Sequence, residues 1–170
     1  MEKEIEIEKK YKLKRLPDNL ENYEHMEIEQ SYLNKGGAPI RLRKFKKEEK
    51  IICIFSKKVK EENKELEKVE YNIELTEHLY NEFLKAKEGR TISKTRYKVP
   101  ITENLIIEID AFHDFFEGMY IAEIEFLSEE QARNYKVPDW LEEIDDSKKY
   151  SNNYMATEAK DINEYKDLML

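Results

Sequence analysis

Charged side chains recur at every second position over much of this 170-residue chain. Glu6, Glu8 and Lys10 share one parity, with Ile5 and Ile7 on the other. Arg41 and Arg43 flank Leu42, and Glu70, Asn72 and Glu74 alternate with Tyr71, Ile73 and Leu75. Lys94 and Arg96 form another pair, as do Glu108 and Asp110 beside Ile107 and Ile109, and Glu123 and Glu125 beside Ile124 and Phe126. Successive side chains of a strand point to opposite faces. The pattern therefore predicts strands with one apolar and one charged face. Eight are expected, over 4–11, 27–33, 40–43, 51–55, 69–75, 90–98, 105–110 and 120–126. Short turns between them favour an antiparallel sheet curled toward a barrel.

Helices are fewer. Thr76 is a natural N-cap for a helix with Leu79, Tyr80, Phe83 and Leu84 on one face and Gly89 as its stop. Ser128 and Gln131 have capping-box spacing before a second, short helix. From residue 154 onward, Ile162, Tyr165 and Leu168 mark a weakly amphipathic helix. A turn is expected at 36–39, a charged loop at 60–68 and a solvated hairpin around Lys44–Lys47.

Composition excludes several classes. Charged residues make up 40%, but 7 Phe, 1 Trp and 11 Tyr are too many for a disordered chain. No apolar run approaches the length of a membrane helix, and the first residues lack a secretory signal. Cys53 stands alone, so a disulfide framework or a multi-cysteine zinc site is excluded. His25, His78 and His113 have no metal-ligand spacing. A net charge of −8 argues against a generic nucleic-acid binder. One cytoplasmic domain over 1–170 is expected, with neither nucleic-acid nor membrane partners.

The strand charges are sorted, with acids paired on some strands and bases on others. Like charges two apart gain little on a solvated face. Inside a curled sheet they would be costly unless ligands compensate. Divalent cations would offset the carboxylates and a polyphosphate the bases, which together describe a phosphoryl-transfer site.

The ordered set of residues resembles the CYTH proteins, the triphosphate tunnel metalloenzymes. Glu6-Ile7-Glu8-Lys9-Lys10 is similar to their E-x-E-x-K signature. The likeness continues through Arg41-Leu42-Arg43, Lys57, Glu70, Gly89-Arg90, Lys94-Thr95-Arg96, Glu108-Ile109-Asp110, Glu123-Ile124-Glu125 and a C-terminal motif within 146–152. It covers about residues 2–156, leaving 157–170 as a helical extension. The resemblance implies an α+β fold, mainly antiparallel β: an eight-stranded closed barrel with a charged lumen and helices packed outside. It implies hydrolysis of a small triphosphate with Mg²⁺ or Mn²⁺, most simply inorganic triphosphate to pyrophosphate and phosphate. Class IV-type adenylate cyclase, thiamine or nucleoside triphosphatase, and a non-catalytic polyphosphate-binding module are the alternatives. A homodimer is left open.

Residue roles follow from the same resemblance. Lys10, Arg41, Arg43, Lys57, Lys94 and Arg96 would hold phosphate, with Lys94, Arg96 and Glu70 at the reacting centre. Glu6, Glu8, Asp110, Glu123 and Glu125 would hold metal. Asn72 departs from the pattern, where a second acid is common, and weakens any second metal site. Glu74, two further along the same face, either compensates or lies near a tunnel mouth.

Overall fold

In the computed structural model the described backbone comprises residues 2–34, 39–60, 67–144 and 148–170. The turn expected at 36–39 and the middle of the loop at 60–68 fall largely outside it. The chain is an antiparallel, sheet-dominated α+β fold with few helices. Its strands are β1 (Glu2–Leu13), β2 (Glu24–Tyr32), β3 (Ile40–Lys47), β4 (Lys50–Lys60) and β5 (Glu67–Leu75). After the helix α1 (Glu77–Leu84) come β6 (Glu88–Thr102), β7 (Leu105–Phe112) and β8 (Tyr120–Glu125). Then follow α2 (Glu129–Asn134), β9 (Leu141–Glu143) and α3 (Asn152–Thr157).

The strands pair in the order β5-β4-β3-β2-β6-β7-β8-β1-β9, and β5 also pairs with β1, from Glu2↔Asn72 to Ile7↔Glu67. Period-two alternation decides what each face carries. The apolar residues pack into three clusters: the strand residues of the first and third lie opposite the charged series, whereas Ile92, Phe112 and Ile121 of the second have the parity of Lys94, Asp110 and Glu123. Ile7, Tyr11, Ile107, Ile109, Ala122 and Ile124 meet Ala132 of α2 and Leu141 of β9. Ile92, Phe112 and Ile121 meet Met155 and Ala156 of α3. Leu42 and Cys53 meet Tyr80 of α1, which settles Cys53 as a core thiol.

The capping expectations hold locally. Thr76 accepts from the Leu79 amide, and Ser128 accepts from the Gln131 amide. Three expectations are corrected. Gly89 is not a helix stop: α1 ends at Leu84, and Gly89 lies in β6 at φ +68. A Cβ there would stand 2.1 Å from the Ala156 carbonyl oxygen, so the strand needs glycine where α3 crosses it. The tail is not one helix but α3 followed by a 3₁₀ segment, Ile162–Leu168, with a non-helical Tyr165. β9 was not expected, because three residues are too few to show a period.

Candidate active site

The charged parities converge on a cavity of about 630 Å³. β1 contributes Glu6, Glu8 and Lys10; β3 contributes Arg41 and Arg43; β5 contributes Glu70; β6 contributes Lys94 and Arg96; and β8 contributes Glu123 and Glu125. Ten of the twelve residues expected at the site therefore line one space.

The acids and bases neutralise each other across that space. Glu70 is fully buried, and its Oε1 accepts from Arg41 Nη2 and Arg43 Nη2, each at 2.6 Å. Burial raises the Glu70 pKa, but the two guanidiniums overcome it and hold the carboxyl below its ordinary value. Lys10 Nζ donates to Glu123 Oε1 at 2.5 Å, and Arg96 Nη2 donates to Glu123 Oε2 at 3.1 Å. Against burial, Lys10 and Arg96 keep Glu123 well below the usual carboxylate range. Glu6 goes the other way. Burial pushes it up to about 7, aided by Glu8 and Glu70 and opposed by Lys58.

Two expected residues are corrected. Lys57 is exposed and does not line the cavity; the lysine there is Lys58. Lys58 is opposite Glu70 in the β4–β5 register and on the same face as buried Ser56. Its Nζ pairs with Glu6 and lies 3.2 Å from Glu8 Oε1. Asp110 does not line the cavity either. It is 1% exposed. Its oxygens accept from Lys94 Nζ at 2.6 Å, from Arg96 Nε at 2.7 Å and from Arg96 Nη2 at 2.8 Å. Asp110 props the two β6 bases from behind, and its oxygens are already taken. Burial still lowers Lys94 to about 8, with Asp110 holding it up.

Several further residues line the cavity. Glu108 faces the cavity and accepts from Arg96 Nη1 at 2.5 Å, and Lys98 lies opposite it in the register. Gln30 donates to Tyr32 Oη, and both are buried on the wall. Met26, Ile28 and Phe45 form an apolar stretch, while Ser151, Asn152 and Asn153 reach in from α3 and its cap. Parity along β2 and β6 carried the signal for Gln30 and Lys98; α3 left none short of tertiary structure. Asn72 and Glu74 are not among the lining residues, so the Asn72 departure falls outside the cavity wall.

The donor chemistry fits a hard cation shared with substrate. Glu8 and Glu125 are register partners on neighbouring strands, and both line the cavity. Yet among the described residues no three His, Cys, Asp or Glu side chains are grouped tightly enough to hold a metal alone. Mg²⁺ is commonly bound by one or two carboxylates with substrate phosphate oxygens completing its shell.

A single cavity lined by both bases and carboxylates holds the residue types that bind phosphate oxygens and hard cations. The chain has the fold of the CYTH proteins, the triphosphate tunnel metalloenzymes. It is 33% identical over 92 residues to the inorganic triphosphatase of Nitrosomonas europaea, a match covering 54% of this chain and 61% of that protein. A crystal structure of an inorganic triphosphatase superposes with a TM-score of 0.64 at 27% identity, covering 91% of this chain and 95% of the other. A Hippeastrum protein with a dominant triphosphatase activity shares the fold at a TM-score of 0.53 and 18% identity, over 75% of this chain and 82% of the other. No protein-family profile matches the chain.

Proposed function

We propose that the protein is a metal-dependent triphosphatase that splits inorganic triphosphate into pyrophosphate and phosphate. One observation carries the reading: Lys10, Arg41, Arg43, Lys58, Lys94 and Arg96 line a single cavity together with the paired glutamates of β1 and β8. Six bases exceed what one phosphate needs and suit three. The return pairing of β5 onto β1 supports an eight-stranded closed barrel with this cavity as its lumen. The reading is of one domain in the cytoplasm, with Mg²⁺ or Mn²⁺ as cofactor, no nucleic-acid or membrane partner, and a homodimer left open. Among the described residues no helix is long and apolar enough to cross a membrane.

The chemistry follows from the residues. Arg41, Arg43, Lys94 and Arg96 bind phosphate oxygens and neutralise the charge that builds on them as the bond to the leaving pyrophosphate breaks. Each is already held by a carboxylate, Glu70 or Asp110, so its position is fixed before substrate arrives. Glu70 orients the attacking water through its second oxygen. A carboxylate held ionised by two arginines is a weak base, so its part is to place the water rather than to take its proton. Glu6, Glu8, Glu123 and Glu125 would hold the cation, which supplies Lewis-acid stabilisation of the phosphates.

The apolar stretch of Met26, Ile28 and Phe45 favours a second reading, in which the triphosphate carries an organic group, as in a nucleoside or thiamine triphosphatase or a class IV-type adenylate cyclase. Phosphate release from inorganic triphosphate, ATP, thiamine triphosphate and pyrophosphate, each with Mg²⁺ and with Mn²⁺, separates the two, with cyclic AMP followed alongside. Release from inorganic triphosphate alone supports the first reading. Tight binding of all four without turnover leaves a polyphosphate-binding module.

A further inference from the structure

Lys58 stands among the carboxylates that the triphosphatase reading gives to the cation. Its Nζ pairs with Glu6, lies 3.2 Å from Glu8 Oε1 and 3.9 Å from Glu70 Oε2. The three side chains around it are shielded, Glu6 and Glu8 at 18% exposure and Glu70 at 1%. The other bases are differently placed. Arg41 and Arg43 share Glu70, Lys94 is tied to Asp110, and Lys10 to Glu123. An ammonium is a compact point charge with three donors on a flexible four-carbon stem. Between Glu6 and Glu8 it does what a metal ion would do there: it offsets two like charges that burial would otherwise make expensive.

We propose that Lys58 is a built-in stand-in for the metal: its ammonium holds Glu6 and Glu8 together, and cation entry between them releases it to a phosphate of the substrate. The inference rests on the triphosphatase reading and adds a coupling to it. A divalent ion and an ammonium cannot share two carboxylates at contact distance without strong repulsion. Once displaced, Lys58 has the rest of the cavity within reach, where Ser56 and Arg41 line the same wall. Cation and triphosphate then raise each other's affinity, because the first frees a base for the second, and such coupling is reciprocal.

The test is a pair of affinities that move in opposite directions. Mn²⁺ binding without phosphate is measured by electron paramagnetic resonance on wild type, Lys58→Met and Lys57→Met. Inorganic triphosphate affinity is measured at saturating Mn²⁺, as KM if the protein turns over and by calorimetry if it does not. Lys58→Met is expected to tighten Mn²⁺ about tenfold and to weaken triphosphate about tenfold, shifts of the size one nearby charge produces. Lys57→Met, on the outer face, changes neither. Lys58→Gln shows the same opposite shifts and serves if the methionine variant does not fold. Mn²⁺ binding unchanged or weakened on removal of Lys58 overturns the proposal, and so does an unchanged triphosphate affinity. A wild type that hydrolyses no triphosphate fails the functional reading, while the Mn²⁺ arm still decides the role of Lys58.

Discussion

Glu6 and Glu123 face the same cavity with opposite electrostatics, and that contrast sets a pH dependence. Burial pushes Glu6 up to about 7, whereas Lys10 and Arg96 overcome burial at Glu123 and keep it ionised. A carboxylate ligates a cation only when deprotonated. The sign is then fixed: below about pH 7 a proton competes at Glu6, and above it the competition ends. Mn²⁺ affinity should rise about tenfold from about pH 6 to about pH 8 and then flatten. Glu6→Gln should abolish the slope, and equal affinities at the two pH values in wild type would contradict the assignment. The bases divide as sharply. Arg41→Ala and Lys94→Ala should each lower kcat/KM for inorganic triphosphate by about 10²-fold, while Lys57→Ala stays within about twofold. Asp110→Asn should raise KM yet leave the Mn²⁺ concentration for half-maximal rate unchanged, since Asp110 touches Lys94 and Arg96 and not the cavity. Ten of the expected residues line the cavity: parity placed them on common strand faces, and the resemblance to the CYTH proteins picked them out and gave them roles. Lys58 was not legible in the sequence, because the apolar run Ile51–Phe55 shows no alternation from which to count. Asp110 has the parity of Glu108, and its depth behind Arg96 is a tertiary fact.

At the scale of elements, the fastening of α3 to β6 was the least readable feature. Arg90 Nη1 donates to the Met155 carbonyl at 2.9 Å and to the Ala159 carbonyl at 2.8 Å. Its guanidinium also lies 4.0 Å from the centre of the Phe115 ring. Gly89 supplies both the positive φ and the room for the Ala156 carbonyl. The two hydrogen bonds and the Gly89–Ala156 approach join residues over sixty positions apart, beyond any local pattern. Gly89 in isolation reads equally well as the end of the preceding helix. Gly89→Ala must shift α3 or strain β6, so it should cost about 2 kcal/mol or more. In a protein of this size that lowers the melting temperature by about 4–8 °C, readable by calorimetry. An unchanged melting temperature would mean that α3 can slide along β6. The strands themselves were legible because their interiors alternate over five residues or more, with ends that ran past the predicted limits wherever pairing continued. β6 reaches Thr102 through Pro100, beyond which its register with β7 shifts.

For the whole molecule, exhaustive chelation should stop phosphate release and Mg²⁺ or Mn²⁺ should restore it. Undiminished turnover after chelation would remove the cation from the mechanism. The connectivity around β1 has a further consequence. β1 pairs with β5 at Glu2–Ile7, with β8 at Glu8–Tyr11 and with β9 at Tyr11–Leu13. It is made before any of its partners, and the last of them, Leu141–Glu143, lies near the other end of the chain. On the ribosome the Glu8–Leu13 part of this strand waits for β8 and β9 after β5 is available to Glu2–Ile7, its Tyr11 without the neighbours that later bury it. Pairing across such separations is slow, and an unpaired apolar edge invites association with other chains. Synthesis therefore has an interval in which that part of β1 stays exposed, and it closes only when β9 emerges.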